Sequence, residues 1–433
     1  MSNETLTQER LIELQSLPLN RKIQISQARI IEWYQHWNGN VVVSFSGGKD
    51  STALLHMVRS LYPDVKAVFS NTGLEYPEIQ KHVLSVENVD IVTPSMRFDE
   101  VISTYGYPII GKEVAEAIYY ARRMKPSDAE EKEDGRINRK TGDLIHTSTA
   151  RNRRTILMGK WEEGKTPARK REELSGGRSF DAEKSKVPQP IRKRRELEGS
   201  RDYGEKKKKS MFNKEKYLPL VYTPFMISHY CCFRMKKSPI KSYQHKNKVY
   251  PYLGTLAEES RARKQAWLRH VCNAFEGTSK SSQPLSFWTE QDVLAYIVKY
   301  DLPIASVYGD IVSVRDGDEY PAKDVCGNVC GNLRCTGCSR TGCVFCGFGL
   351  HHDKGETRFQ RLAKTHPRQY EYSIGGGQWV DNPHYDPVAP EYDGDWKNWN
   401  PKKIWVPSKK GLGMGKVFDT VNEIYGKDFI RYE

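Results

Sequence analysis

The stretch that decides the fold is VVVSFSGGKDST, residues 41–52. Four of its first five residues are β-branched or aromatic, which predicts a buried strand. Gly47 and Gly48 allow a tight turn, and without a Cβ they let backbone N–H groups approach a ligand. Residues 53–58 continue with the apolar period of a helix. Because the N-terminus of a helix attracts anions, the stretch predicts a strand, a phosphate-binding loop and a helix.

The polar side chains of this loop suit the same chemistry. Ser46, Ser51 and Thr52 offer hydroxyl donors, and Lys49 offers a positive charge for a phosphate. Asp50 is a candidate to hold Mg²⁺ or to orient Lys49. The spacing differs from the common G-x-x-x-x-G-K-[ST] loop.

The composition indicates a soluble protein of more than one segment. The chain has 433 residues and a mean hydropathy of −0.69, and no apolar run approaches the roughly 20 residues that span a bilayer. No basic segment followed by an apolar core marks the N-terminus, so we expect a cytoplasmic protein. Nine cysteines in such a chain favour metal or redox chemistry over a disulfide framework.

The positive charge is concentrated in one region. Residues 151–216 contain 22 Lys or Arg and 11 Asp or Glu, against a net charge of +14 for the chain. A basic block of this kind predicts a nucleic-acid partner. The alternative is a solvated insertion without a binding role.

Strands that alternate with helices predict the fold class. Val41–Phe45, Lys66–Ser70 and Val89–Val92 have strand character, and helical segments follow them. We therefore expect an α/β protein with a doubly wound, mostly parallel, Rossmann-like sheet. The predicted segments are a helical segment (1–38), a nucleotide-binding core (39–125), a basic polar insertion (126–216), the remainder of the core (217–325) and a cysteine-rich segment with a C-terminal extension (326–433).

Several motifs together resemble a known family. The SGGKDS loop, residues 46–51, is similar to the pyrophosphate loop of the adenine-nucleotide α-hydrolase superfamily. NTGLEYPE (71–78), CCFRMKKSP (231–239) and PLSFWTEQDV (284–293) resemble motifs of its phosphoadenylyl-sulfate (PAPS) reductase family. Asn71 replaces the usual Asp, and Leu256 replaces an Arg in a further motif that contains Gly254, Glu259, Ser260 and Arg263.

The resemblance implies roles for individual residues. Ser46, Gly47, Gly48, Lys49, Asp50 and Ser51 are expected to hold the phosphates of ATP or PAPS with Mg²⁺, and Thr72 and Glu75 to lie near the nucleotide. Lys112, Arg261 and Arg263 are candidates to neutralise a second anionic group.

The cysteines allow more than one metal arrangement. Resemblance to the iron–sulfur branch of the family implies a 4Fe–4S cluster on Cys231, Cys232, Cys343 and Cys346. Alternatively Cys338, Cys343 and Cys346 join Cys232, which leaves Cys231 as a reactive thiol. A separate zinc site on Cys326, Cys330, Cys335 and Cys338 is a further interpretation.

Three functions compete at this point. ATP-dependent, adenylylating sulfur transfer, with nucleic acid as a candidate acceptor, follows the plan of the DNA phosphorothioation sulfurtransferase subunit. It is favoured because no cysteine follows Cys346, whereas the reductases carry a C-terminal nucleophilic cysteine. The alternatives are a sulfonucleotide reductase that produces sulfite and a non-catalytic iron–sulfur module that binds nucleic acid. Lys49, Asp50, Cys231 and Cys338 are the candidate catalytic residues. The expected partners are an adenine nucleotide, a cysteine desulfurase or thioredoxin, and a second copy of the chain.

Overall fold

A computed structural model describes residues 7–122, 214–277, 279–387 and 399–433. The chain forms two compact units, each built from separate stretches of sequence. The first comprises Met1–Phe98 and Cys232–Phe345, and the second comprises Asp99–Cys231 and Cys346–Glu433. The five segments predicted from composition follow the chain in sequence order, and their boundaries stay a prediction.

The elements up to residue 122 alternate between strands and helices after a helical start. They are α1 (Gln8–Ser16), α2 (Leu19–His36), β1 (Val41–Ser44), α3 (Lys49–Leu61), β2 (Ala67–Ser70), α4 (Pro77–Leu84), β3 (Val89–Val92), α5 (Phe98–Tyr105), β4 (Ile109–Ile110) and α6 (Lys112–Arg122).

The elements after residue 214 include shorter strands and two kinds of irregular helix. A 3₁₀ helix spans Glu215–Tyr222 and a π-helical turn spans Phe233–Lys237. The remaining helices are α7 (Ser238–Asn247), α8 (Arg261–His270), α9 (Glu290–Lys299), α10 (Arg358–Thr365), α11 (Pro367–Ile374) and α12 (Met414–Tyr425). The strands are β5 (Tyr250–Leu253), β6 (Asn273–Ala274), β7 (Ser281–Ser282), β8 (Ile311–Arg315), β9 (Asp318–Pro321), β10 (Asn332–Cys335), β11 (Gly347–Phe348), β12 (Gln378–Asp381) and β13 (Lys403–Val406).

The first unit contains a six-stranded sheet in the order β3-β2-β1-β5-β7-β6. Its pairings are parallel except that of β6 with β7. The apolar run of β1 is buried in the middle of this sheet, as a strand covered on both faces requires. The α/β fold with a mostly parallel sheet is therefore confirmed. Strand order reverses at β1, which is where ligands bind in open α/β sheets.

A smaller antiparallel sheet, in the order β10-β8-β9, also belongs to the first unit. Leu294 of α9 packs with Ala322 and Leu333 in a buried cluster beside it. The cluster fixes the sheet to the start of α9, so residues far apart in sequence reach the same region of the first unit.

The second unit contains two short sheets and the last helix. Strand β4 pairs in parallel with β11, and β12 pairs with β13 in antiparallel fashion. Inside this unit the buried Tyr107 hydroxyl donates to the Leu412 carbonyl, 2.8 Å away. None of the helices in the described ranges has the length and apolar character needed to cross a membrane.

Candidate functional site

The SGGKDS loop, residues 46–51, connects the end of β1 to the first turn of α3. Gly47 has φ +71°, and a Cβ there would lie 2.7 Å from Val83 Cγ2 and 2.8 Å from Ile79 Cγ2. Gly48 caps α3 without a side-chain hydrogen bond. The two glycines therefore have different tasks: Gly47 makes the turn against α4, and Gly48 begins α3 without adding a side chain of its own.

The two serines of the loop fix its shape. Ser51 Oγ accepts the Ser46 N–H at 3.2 Å, lies 3.0 Å from Ser46 Oγ, and donates to the Gly48 carbonyl at 2.9 Å. Gly254, after β5, lies so close that a Cβ there would be 3.0 Å from the Asp50 carbonyl oxygen. These contacts hold the loop in one conformation before any ligand binds.

Lys49 is the most deeply buried charge of the loop. Its ammonium donates to Glu290 Oε1 at 2.7 Å and to the Ser339 carbonyl at 2.7 Å. The ring of Tyr308 lies 5.8 Å away from it. The predicted phosphate ligand is thus paired with a carboxylate of α9.

Tyr308 and Thr341 cover the start of α3. The Tyr308 hydroxyl accepts the backbone N–H of Lys49 at 3.3 Å and lies 2.5 Å from Thr341 Oγ1. Burial raises the pKa of Tyr308 to about 12, so the hydroxyl stays protonated at neutral pH.

Two further carboxyl groups, those of Asp50 and Glu258, lie near Glu290. Burial raises the pKa of Asp50; the positive charges of Lys49 and Arg340 oppose the rise and the charge of Glu290 adds to it. Burial also raises the pKa of Glu258, whose Oε1 accepts the Glu290 N–H at 2.5 Å. Asp50 is part of the loop, where a Mg²⁺ ligand is expected. Its surroundings, however, disfavour the charged form of its carboxyl group.

Two arginines share one carboxylate beside the loop. Glu259 forms ion pairs with Arg263, in the first turn of α8, and with Arg340, 3.7 Å away. Burial and the charge of Arg340 lower the pKa of Arg263, while Asp50 opposes the change. Arg263 thus lies where an anion-binding residue was predicted, whereas Arg261 is exposed at the first position of α8.

A second buried network follows β2. Glu75 accepts hydrogen bonds from the N–H and the hydroxyl of Thr72, at 3.2 and 2.8 Å. The ammonium of Lys236, in the π-helical turn, lies 3.3 Å from Glu75 Oε1 and hydrogen-bonds Cys343. Burial alone would lower the pKa of Lys236, but the charges of Cys343 and Glu75 raise it. Thr72 and Glu75 are therefore part of a structural network that includes a predicted cluster ligand.

The predicted metal ligands are distributed over both units. Cys232, Cys338 and Cys343 belong to the first unit, and Cys231 and Cys346 belong to the second. Lys112 also belongs to the second unit, exposed at the start of α6. The 4Fe–4S cluster stays a prediction from the sequence.

The four cysteines of the proposed zinc site lie in and around β10. Cys326 and Cys330 precede this strand, whereas Cys335 ends it and Cys338 follows. The zinc site stays a prediction from the sequence. Within the described ranges, no three or more His, Cys, Asp or Glu side chains are arranged to hold a metal ion.

Sequence reasoning missed the residues that surround Lys49. Glu290, Tyr308, Ser339, Arg340 and Thr341 all reach the loop from more than two hundred residues away. Glu290 lies within the PLSFWTEQDV motif, but nothing in that motif indicates a contact with Lys49. The available signal was the T-x-x-D cap of α9, which predicts that Glu290 is the first residue of a helix.

Comparisons with known proteins give a family match and similar solved structures. The sequence profile of the phosphoadenosine phosphosulfate reductase domain matches residues 40–109 and 189–347, more than half of the chain. A crystal structure of phosphoadenylyl-sulfate reductase from Candida auris, in complex with phosphate, aligns at 13% identity and a TM-score of 0.29. That alignment covers 70% of this chain and 92% of the other. No curated protein matches the sequence. The matched residues include the whole SGGKDS loop, and the chain belongs to the phosphoadenosine phosphosulfate reductase domain family.

Proposed function

We propose that this protein binds ATP at the SGGKDS loop, activates an acceptor by adenylylation and then exchanges the adenylate for sulfur. The observation that carries the proposal is the position of Lys49. It lies in the first turn of a 13-residue helix that follows a central parallel strand. Backbone N–H groups at the start of such a helix, together with a lysine, suit the phosphates of a nucleotide.

The residues of the loop have electrostatic tasks in this reaction. An acceptor oxygen attacks the α-phosphorus, the bond to the pyrophosphate oxygen breaks, and pyrophosphate leaves. Lys49 and the N–H groups at the start of α3 stabilise the charge that grows on the phosphate oxygens. Mg²⁺, when bound, would supply further positive charge. Asp50 is its candidate ligand, since the carboxyl lies on the first turn of α3.

Sulfur enters in a second step. A cysteine persulfide attacks the activated acceptor, AMP leaves, and a second cysteine thiol reduces the resulting disulfide. If the cluster is held by Cys231, Cys232, Cys343 and Cys346, Cys338 is the candidate carrier; if Cys338 replaces Cys231 as a ligand, Cys231 is the candidate. A cysteine desulfurase is the proposed source of the persulfide. The iron–sulfur cluster is proposed as a cofactor from the resemblance to the iron–sulfur branch of the family. Nucleic acid is the proposed acceptor because residues 151–216 are strongly basic.

A sulfonucleotide reductase is the second candidate, favoured by the family to which the chain belongs. It requires a thiol that attacks the sulfur of PAPS or adenylyl sulfate. Residues 347–433 contain no cysteine that could supply this thiol.

The experiment that separates the candidates starts from anaerobic purification with iron and sulfide analysis. The same sample is titrated calorimetrically with ATP–Mg²⁺ and with PAPS, and pyrophosphate release is measured. Lys49→Ala is compared with Lys66→Ala, which removes an exposed lysine of the same unit.

Adenylylating sulfur transfer would be supported if the protein contains iron and sulfide and binds ATP selectively. The ATP binding should be lost in Lys49→Ala and kept in Lys66→Ala. Selective PAPS binding would favour the reductase instead. A chain that binds neither nucleotide would contradict both enzymatic functions and leave the iron–sulfur nucleic-acid-binding module.

A further inference from the structure

We propose that Glu290 competes with the nucleotide for Lys49 and thereby sets the affinity of the SGGKDS loop. The inference rests on the proposed function, because it assumes that Lys49 binds phosphate. It adds that Lys49 is already paired with a carboxylate of the protein. Nucleotide binding is then an exchange of one anionic partner of Lys49 for another.

Lys49 already has two hydrogen-bond acceptors within the protein. Its ammonium has three donor hydrogens, and two of them are taken by Glu290 Oε1 and the Ser339 carbonyl, each at 2.7 Å. The Lys49 side chain is 4% exposed and that of Glu290 is 41% exposed. A phosphate oxygen that binds this ammonium must therefore displace Glu290 or share the lysine with it.

Glu290 is held at this position by contacts that do not involve Lys49. It is the first residue of α9, whose cap is formed by Thr289 and Asp292. Its backbone N–H donates to Glu258 Oε1. Because the N-terminus of α9 and this hydrogen bond fix the backbone, the carboxylate stays near the loop when Lys49 turns toward a ligand. Its negative charge then opposes phosphates at the same place.

Tyr308 and Ser339, which contact Lys49 at the start of α3, also support an exchange of partners at this lysine. The Tyr308 hydroxyl occupies the backbone N–H of Lys49, and the Ser339 carbonyl occupies its ammonium. These two residues belong to segments whose backbones pack closely together. A Cβ on Gly337 would lie 2.4 Å from the Val307 carbonyl oxygen, and one on Gly309 would lie 2.9 Å from the Gly337 nitrogen. The backbone N–H of Lys49 and two of its three ammonium hydrogens are thus engaged by groups of the protein itself.

The opposite role for Glu290 makes an opposite prediction. If Glu290 orients Lys49 toward the phosphates in the complex, its loss weakens nucleotide binding. If Glu290 competes, its loss strengthens binding although it removes an ion pair from the unliganded protein. A purely structural role cannot produce stronger binding together with lower stability.

The test is a calorimetric titration of three full-length proteins with ATP–Mg²⁺ and, separately, with PAPS. Glu290→Gln removes the charge and keeps the shape. Asp301→Asn is the matched control, since it removes one carboxylate charge from another ion pair of the same unit, with Lys323. We expect Kd for the bound nucleotide to fall about fivefold or more in Glu290→Gln. The Tm of this variant without ligand should fall, and Kd of the control should match the wild type.

Glu290→Asp keeps the charge and shortens the reach, so it serves if Glu290→Gln does not fold. It should shift Kd in the same direction by a smaller factor. If the wild type binds the nucleotide and the Glu290 variants bind it equally well or more weakly, competition by Glu290 is overturned. The proposed function would remain intact. Absence of nucleotide binding in the wild type and in every variant would overturn both.

Discussion

Gly47 shows how one residue supports the loop through both conformation and space. Gly73 offers a matched comparison, because its φ is +70° against +71° for Gly47, yet a Cβ there would meet nothing within 4 Å. We expect Gly47→Ala to be more destabilising than Gly73→Ala by about 1–3 kcal/mol, the usual cost of overpacking. Urea unfolding of both variants measures the difference. Equal losses of stability would mean that α4 moves to make room.

His351, in the second unit, predicts a pH dependence of stability. It stacks on Phe429 at 5.1 Å, and neither ring nitrogen has a hydrogen-bond partner among the residues that the structure describes. Burial, with smaller effects of His352 and Lys216, lowers the pKa of His351 to about 4.

In the unfolded chain this pKa is about 6.5, so the unfolded state takes up the proton first as pH falls. Stability should therefore be lost between about pH 6.5 and pH 4, and His351→Gln should show a shallower loss than the wild type. Urea midpoints across this range are the measurement. The exposed His245→Gln is the control, and a wild-type slope in His351→Gln would contradict the assignment.

The sequence was sufficient to predict that residues 46–51 form a turn between a strand and a helix. It was insufficient to predict which distant residues contact that turn. Residues 46–51 form a local pattern whose chemistry depends on neighbours in the chain. Glu290, Tyr308 and Arg340 reach the loop only because the strand order and the small sheet bring them there. No local pattern contains that information, and with one sequence nothing else could supply it.

At the scale of elements, the start of α9 connects the sheet to the N-terminal helices. Asp292 Oδ2 accepts the N–H and the hydroxyl of Thr289, both at 2.7 Å, and pairs with the buried Lys22 of α2 at 2.6 Å. Lys22 also donates to the Gln15 carbonyl at 2.6 Å. One carboxylate therefore caps α9 and neutralises a lysine in the interior.

Asp292→Ala should lower the free energy of unfolding by about 3–5 kcal/mol, because it leaves a buried ammonium without its counter-charge. Lys22→Met in the same chain should recover part of that loss, since the charge is then gone. Urea denaturation of the two single variants and the double variant completes the cycle. A double variant whose loss equals the sum of the single losses would show that the pair is not coupled.

The elements follow the sequence where their signals are strong. The strands β1, β2 and β3 lie within a residue of their predicted bounds. The sequence analysis does not predict the sheet of β8, β9 and β10. All four residues of β9 are exposed, and β10 contains one fully buried residue, so neither strand has a strong apolar signal. The adjacent cysteines Cys231 and Cys232 lie directly before the π-helical turn, an irregular helix that the sequence analysis does not predict.

At the scale of the whole molecule, the basic block predicts salt-dependent binding to nucleic acid. Residues 151–213 lie outside the described residues, so the prediction rests on charge alone. Lys206–Lys209→Gln should weaken binding to a short DNA duplex and make its salt dependence shallower between about 50 and 200 mM. Fluorescence anisotropy measures both. Gln at Lys402, Lys403, Lys409 and Lys410 removes the same charge elsewhere, and an equal effect would exclude a localised site.

The division into two units could not be predicted from composition. Composition changes along the chain mark the basic stretch and the cysteine-rich stretch, and both were recognised. The units instead follow contacts, and each combines an early part of the chain with a late part. Pairings such as β1 with β5 or β4 with β11 produce this arrangement, and each joins residues separated by about half of the chain.

The pairing of β1 with β5 has a consequence for synthesis on the ribosome. One edge of β1 can pair with β2 soon after both have been synthesised. The other edge has no partner until Tyr250–Leu253 has been added. At about 5–20 residues per second, Tyr250 is added roughly 10–40 s after Ser44. During that interval the nascent chain carries an unpaired strand edge, which is a template for association with other chains. Correct production of this protein therefore depends on what shields that edge while translation continues.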